Sequence, residues 1–265
     1  MKIFMFRYLI SLFCLFLPVA YCAETTYASL SPVPTEIIYA LGAQDRLKGV
    51  STTCNYPEEA KSLPKIGDTY FVNLELLMEL KPDYLFSMSS AKPMLGELKL
   101  TKTKPVYFEF SSISEIYEGI EKIALIVGKK KEAVVLIEEI KAKIAESRTD
   151  NPKKILYLIQ TNPMITVGKK SFLNDVIEHS GHISVTKDLN YYYPSISTEF
   201  AVKSQPDVII IAFPTDLSFV KKMFPNAKLM FLNAQQQDII NRSGPRIYEA
   251  VKMFADLDFN TSQNK

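Results

Sequence analysis

The chain has 265 residues, enough for one large domain or two small ones, and its 47% hydrophobic content is ample for packed cores. Its 31 Lys and Arg nearly cancel its 29 Asp and Glu. That balance argues against nucleic acid as a partner, because phosphate binding demands concentrated positive charge.

At the N-terminus, Lys2 and Arg7 precede an apolar run from Tyr8 to Val19, and the small residues Ala20, Cys22 and Ala23 follow. The run is too short to span a bilayer comfortably and reads as a secretory signal over residues 1–23. Its removal leaves 29 cations against 29 anions, and no later segment is apolar enough for a membrane span. Cys14 lies in the signal, Cys22 at its end and Cys54 alone in the body, so no intramolecular disulfide framework is expected. Cys22 as a lipidated N-terminus is the second option, although bulky Tyr21 fits a lipoprotein processing site poorly.

In chain order, Thr26 to Leu30 reads as a strand, Ser31-Pro32 as a turn, and Thr35 as the cap of a helix from Glu36 to Leu41 ending at Gly42. Leu47 to Thr52 is a second strand, and 54–70 a loop punctuated by Pro57, Pro64 and Gly67. A short helix and strand follow, then a helix near Met94 to Leu100 and a strand from Val106 to Phe110. Strands alternating with helices favour a parallel sheet covered on both faces. From Ser112, Ile113, Ile116, Ile120 and Ile123 keep helical spacing up to Gly128; Ala133, Ile137, Ile140 and Ile144 trace one face of a further helix, with Glu139 and Lys143 paired on its wet side. A rigid helix over 129–149 thus joins a first lobe (24–128) to a second (150–259). The second lobe opens with a strand from Ile155 to Ile159 and continues through a loop at 162–170 to a helix from Phe172 to Ser180. It goes on through Ile183 to Val185, a Tyr191-Tyr192-Tyr193-Pro194 loop, a helix-strand unit reaching Phe213, a helix near Leu217 to Met223 and a strand from Leu229 to Leu232. Pro245 opens the last helix, where its missing N–H is harmless, and 260–265 is a polar tail.

One pattern occurs twice, 124 positions apart: Asn73-Leu74-Glu75 with Pro82-Asp83, and Ser197-Thr198-Glu199 with Pro206-Asp207. In each copy Asn or Ser can cap a short helix, Glu falls in its first turn, and Pro-Asp precedes a buried strand. Two copies imply two similar α/β lobes and a matched pair of carboxylates, Glu75 and Glu199. Either alone could merely complete a helix N-terminus. As a pair they suit bidentate bonds to two Arg residues on a two-fold symmetric partner.

Several aromatics sit in loops after strands: Tyr56, Tyr70, Phe71, Tyr191, Tyr192 and Tyr193. Ligands of open α/β sheets bind beyond the carboxyl ends of the strands, so these rings are candidates for lining a cleft that holds a large, partly apolar ligand. His179, His182 and Glu178 look like a metal cluster, but a His near a helix C-terminus also serves the dipole, and two His fall short of a three-ligand site. Gly168-Lys169-Lys170-Ser171 lacks the leading Gly of a phosphate loop, and no nucleophile–base pair or cofactor motif appears, so neither metal nor cofactor is expected and an exported enzyme is only a remote alternative to a binding protein.

The chain resembles the periplasmic substrate-binding proteins of the cobalamin and iron-chelate ABC transporters, of the helical-backbone kind called class III. The resemblance covers essentially the whole mature chain. It rests on Leu30-Ser31-Pro32 with Thr35-Glu36, Gly49-Val50-Ser51, Asn55-Tyr56-Pro57, Lys65-Ile66-Gly67, the two repeat units and Ser243-Gly244-Pro245-Arg246. It implies two Rossmann-like lobes, each a parallel sheet covered by helices, joined by one long backbone helix, with ligand held between them and limited closure on binding. It also implies a monomer in the periplasm whose Glu75 and Glu199 match the docking glutamates that meet Arg residues of the permease dimer. The motifs look most like the cobalamin-binding branch, with Tyr70 or Phe71 in the place of the aromatic ahead of Asn-Leu-Glu. A haem carrier would use an axial Tyr or His, with Tyr70 near the right loop; an anionic siderophore would want cleft cations, for which Arg242 and Arg246 are candidates.

Overall fold

The computed structural model describes residues 24–96, 102–213, 217–240 and 242–257. The expected signal segment and polar tail, and part of the helix expected at Met94 to Leu100, lie outside them. The N-terminal lobe holds β1 (Tyr27–Ser29), α1 (Pro32–Ala40), β2 (Leu47–Val50), α2 (Leu74–Leu80), β3 (Tyr84–Met88) and β4 (Lys104–Phe108). Its four strands run parallel in the order β2-β1-β3-β4. Two helices follow, α3 (Ile113–Val127) and α4 (Lys130–Glu146), separated by Gly128 in the left-handed region at φ 77°.

The C-terminal lobe holds β5 (Lys154–Thr161), β6 (Met164–Thr166), α5 (Phe172–His179), β7 (Ile183–Ser184), α6 (Thr198–Lys203), β8 (Val208–Ile211), α7 (Ser218–Met223), β9 (Lys228–Phe231), α8 (Ala234–Ile240) and α9 (Ile247–Ala255). Strands β7, β5, β8 and β9 are parallel and repeat the order of the first sheet. The difference is β6, which folds back antiparallel onto β5 where the sequence pattern suggested a loop. A second difference is local: Ser31 takes the N-cap position of α1, and Thr35 lies inside the helix with its hydroxyl donating to Ser31 O at 3.0 Å.

The repeat is built from one set of bonds used twice. Asn73 Oδ1 accepts the Leu76 N–H at 3.0 Å, and Ser197 Oγ accepts the Phe200 N–H at 3.1 Å. The chain leaves each helix through a left-handed residue, Lys81 or Gln205, both at φ 47° and each just before the proline. Pro-Asp then ties three strands together. The Asp83 carboxylate accepts the Thr26 N–H at 2.8 Å and the Asp207 carboxylate accepts the Lys154 N–H at 2.7 Å. The Asp83 and Asp207 carbonyls accept the Lys104 and Lys228 N–H groups at 2.8 and 2.9 Å.

Alternate residues of the buried strands serve two cores. Val208 and Ile210 face inward with Tyr27, Phe86 and Ile155, while Ile209 and Ile211 pack under α6 and α7 with Leu156 and Leu158. The inner core is continuous across both sheets. Ile116, Ile120 and Ile123 of α3 and Ile137, Ile140 and Ile144 of α4 belong to it together with Val176, Val251 and Phe254. Burying each such side chain contributes about 1.5–3 kcal/mol. The lobes are therefore joined by a packed pair of helices: α3 lies against α1 and α5, and α4 against α9. On α4 the exposed ion pairs are Lys129–Glu132 and Lys141–Glu138, whereas the Lys143 ammonium sits 4.4 Å from the centre of the Tyr248 ring.

Candidate functional site

Each lobe presents loops at the carboxyl ends of its strands. In the N-terminal lobe, residues 65–67 run alongside β2, with the Val50 N–H donating to Pro64 O, the Ile66 N–H to Val50 O and the Thr52 N–H to Gly67 O. The chain then turns sharply between Gly67 and Val72. Gly67 is at φ 117°, and a Cβ there would fall 2.1 Å from Phe71 O, so glycine alone fits. Asp68 Oδ1 accepts the N–H groups of Tyr70 and Phe71, and the two rings stand out 93% and 66% exposed.

In the C-terminal lobe the Gly168-Lys169-Lys170 amides have another role than anion binding. They donate to the carbonyls of Tyr192 (2.9 Å), Leu189 (2.8 Å) and Tyr191 (3.2 Å), which locks the triple-tyrosine loop in place. A Cβ on Gly168 would lie 2.3 Å from Tyr191 O. Tyr191, Tyr192 and Tyr193 are all exposed. Tyr193 lines a pocket of about 350 Å³ together with Tyr157, Ile159, Phe172, Phe213 and Gln237. Burial pushes the Tyr157 phenol well above its ordinary range, with the neighbouring Tyr193 adding to the effect. Gln237 fixes the floor by donating to Ala212 O and Leu232 O. Phe213, which the sequence pattern treats as the end of a strand, belongs to this wall. Its signal was an aromatic one step beyond a run of buried residues.

The two candidate cations share one buried carboxylate. Glu36, on α1, is buried, and its carboxylate accepts from Arg242 Nη1 at 2.8 Å and from Arg246 Nε at 3.2 Å. Arg242 Nη2 donates to Asn55 Oδ1, and the Arg246 guanidinium lies 3.8 Å above the Tyr56 ring. Burial works against the Arg246 charge, but Glu36 outweighs it and holds the guanidinium pKa above its ordinary value. Tyr56, Arg242 and Arg246 thus form a junction between the lobes. Tyr56 and Arg246 line a pocket of about 340 Å³ between α1, α4 and the start of α9. Glu36 and Asn55 were not expected here; a carboxylate within the apolar run of α1 was the available sign.

Glu75 and Glu199 are both exposed in the first turns of α2 and α6, and Glu199 Oε1 is 2.7 Å from Lys203 Nζ. The histidine cluster is structural. His182 Nδ1 accepts the Lys153 N–H, which leaves Nε2 to donate to Phe254 O at 2.9 Å. Glu178 accepts the Ser184 N–H, and His179 pairs with Asp175, whose other oxygen caps α3 at the Ile113 N–H. Cys54 is buried with its thiol against Thr35 Oγ1, and burial raises its pKa.

Two lobes whose four parallel strands share one order, joined by a helical spine and carrying aromatic loops at their strand ends, define a two-lobe binding protein. Residues 28–252 match the family described as periplasmic binding protein, and the chain belongs to that family. Among relatives, an uncharacterized ABC transporter substrate-binding lipoprotein of Bacillus subtilis is 30% identical over 246 residues, covering 86% of this chain and 78% of its own. A vitamin B12-binding protein of Vibrio parahaemolyticus is 28% identical over 256 residues, 90% of this chain and 93% of its own. The crystal structure of a possible iron-binding, periplasmic solute-binding protein from Staphylococcus epidermidis superposes with a TM-score of 0.76 at 28% identity, covering 87% and 97% of the two chains.

Proposed function

We propose that this chain is the periplasmic substrate-binding component of an ABC importer, capturing a corrinoid between its lobes and delivering it to the membrane permease. The carrying observation is the chemistry of the loops. Exposed aromatic rings are offered at the strand ends of both lobes, while Arg242 and Arg246 are both bound to one buried carboxylate. Flat, uncharged faces match a large macrocycle better than a polyanionic chelate. The relative in Vibrio parahaemolyticus that binds vitamin B12 supports the same reading. Its relatives are transport binding proteins, and the work of this chain is capture and release without turnover.

Docking is assigned to Glu75 and Glu199, exposed at equivalent helix starts, where carboxylates can accept paired bonds from Arg residues of a permease dimer. The protein acts as a monomer. Export relies on residues 1–23, and no described helix is long and apolar enough to cross a membrane. An iron chelate or haem is the second reading, favoured by the exposed Tyr70 phenol and by the Staphylococcus epidermidis relative. Titration with cyanocobalamin, hemin and ferric siderophores, followed by ligand absorbance, decides between them. Saturable cyanocobalamin binding at micromolar Kd or tighter, about 8 kcal/mol or more, is expected. Binding of hemin or a siderophore alone would overturn the corrinoid assignment.

A further inference from the structure

Tyr70 and Phe71 are held out into water, 93% and 66% exposed, although tucking such rings against the lobe would remove apolar surface from solvent. Their backbone keeps them there. Asp68 Oδ1 accepts the Tyr70 N–H at 2.8 Å and the Phe71 N–H at 3.0 Å, and the Asp68 N–H donates to Phe71 O at 2.6 Å. Below the turn, the Asn73 N–H donates to Ile66 O at 3.0 Å, and Thr52 holds Gly67 O at 2.8 Å. A four-residue tip is thus closed by one carboxylate and welded at its base to β2.

The geometry points to Asp68 as a positioning residue that presets the Tyr70–Phe71 tip for ligand capture without touching the ligand itself. This rests on the reading of that tip as a wall of the ligand cleft. The loss of Asp68 frees both amides, so the backbone that carries the rings loses two of its closing bonds and must be ordered again at each binding event. Ordering side chains at an interface opposes association, and for two rings the expected weakening is about five- to tenfold in Kd. Asn preserves the acceptor oxygen that closes the turn, because Asn and Asp make the same side-chain-to-backbone bond.

The chain has no Trp, so Tyr70→Trp places a single indole at the tip. On that background Asp68→Ala lowers the indole's fluorescence anisotropy and Asp68→Asn keeps it. In the otherwise native chain, Asp68→Ala raises the Kd for cyanocobalamin about five- to tenfold, Asp68→Asn restores it, and Tm stays unchanged in both. Unaltered anisotropy in Asp68→Ala, or a weakened Kd that Asn fails to restore, overturns the inference. If the native chain binds neither cyanocobalamin nor hemin, the cleft reading falls, while the anisotropy pair still decides whether Asp68 orders the tip.

Discussion

Glu36→Ala removes the counter-charge shared by two arginines. Arg242 and Arg246 have side chains only 11% and 23% exposed, and Glu36 is 3% exposed, so water replaces little of what is lost. A hydrogen bond to a charged group contributes about 1.5–3 kcal/mol, so the two bonds together are worth about 3–6 kcal/mol. Breaking a buried ion pair from one side costs about 3–5 kcal/mol, because the remaining charge stays in place without its main counter-ion. We expect about 3–5 kcal/mol, and a Tm lowered by about 6–20 °C for a protein of this size. Urea unfolding followed by circular dichroism measures the loss. A double-mutant cycle with Arg246→Met isolates the direct coupling, expected near the upper part of the 0.5–3 kcal/mol seen for contacting pairs. A Glu36→Ala loss below about 1 kcal/mol, in the range of exposed pairs, would refute the buried-junction argument.

Glu75→Ala with Glu199→Ala should abolish uptake by cells while leaving ligand affinity within a few-fold; persistent uptake would remove the docking role. Gly168→Ala drives a Cβ into the Tyr191 carbonyl at 2.3 Å, and strain of this kind costs about 1–3 kcal/mol, with weakened ligand binding expected in the same titration. The two histidines should respond to pH in opposite senses. Asp175 raises the His179 pKa, so its contribution is complete below the ordinary value of 6.5 and fades as pH rises through the folded value. Burial lowers the His182 pKa, so its contribution is present above 6.5 and is lost as pH falls below it through the folded value. Urea midpoints of His179→Gln and His182→Gln between about pH 5 and pH 8 should therefore diverge from the native chain at opposite ends of the range. Because one core runs through both lobes, thermal unfolding should show a single transition; two resolved transitions would contradict that continuity.

Local pattern made much of this molecule legible. The spacing of Asn73, Glu75 and Asp83, and of Ser197, Glu199 and Asp207, was enough to expect capped helices running into buried strands. Those bonds form within a few residues or along one strand edge, where backbone geometry leaves few choices. The isoleucine faces of α3 and α4 were readable for the same reason of period. The site was less so. The eight candidate ligand contacts are carried by three places: an N-terminal tip, a C-terminal loop, and a junction where Tyr56, Arg242 and Arg246 gather around Glu36.

The sequence by itself determined the twin lobes, the matched carboxylates and the surplus of aromatics after strands, because each depends on neighbours near in the chain. Only the tertiary structure decided where the arginines go: Glu36 and Arg246 are 210 positions apart, and their meeting depends on how the last helix returns across the helical spine. It likewise decided that Gly168 and its neighbours carry the tyrosine loop, since those amides find their partners only once the chain has doubled back.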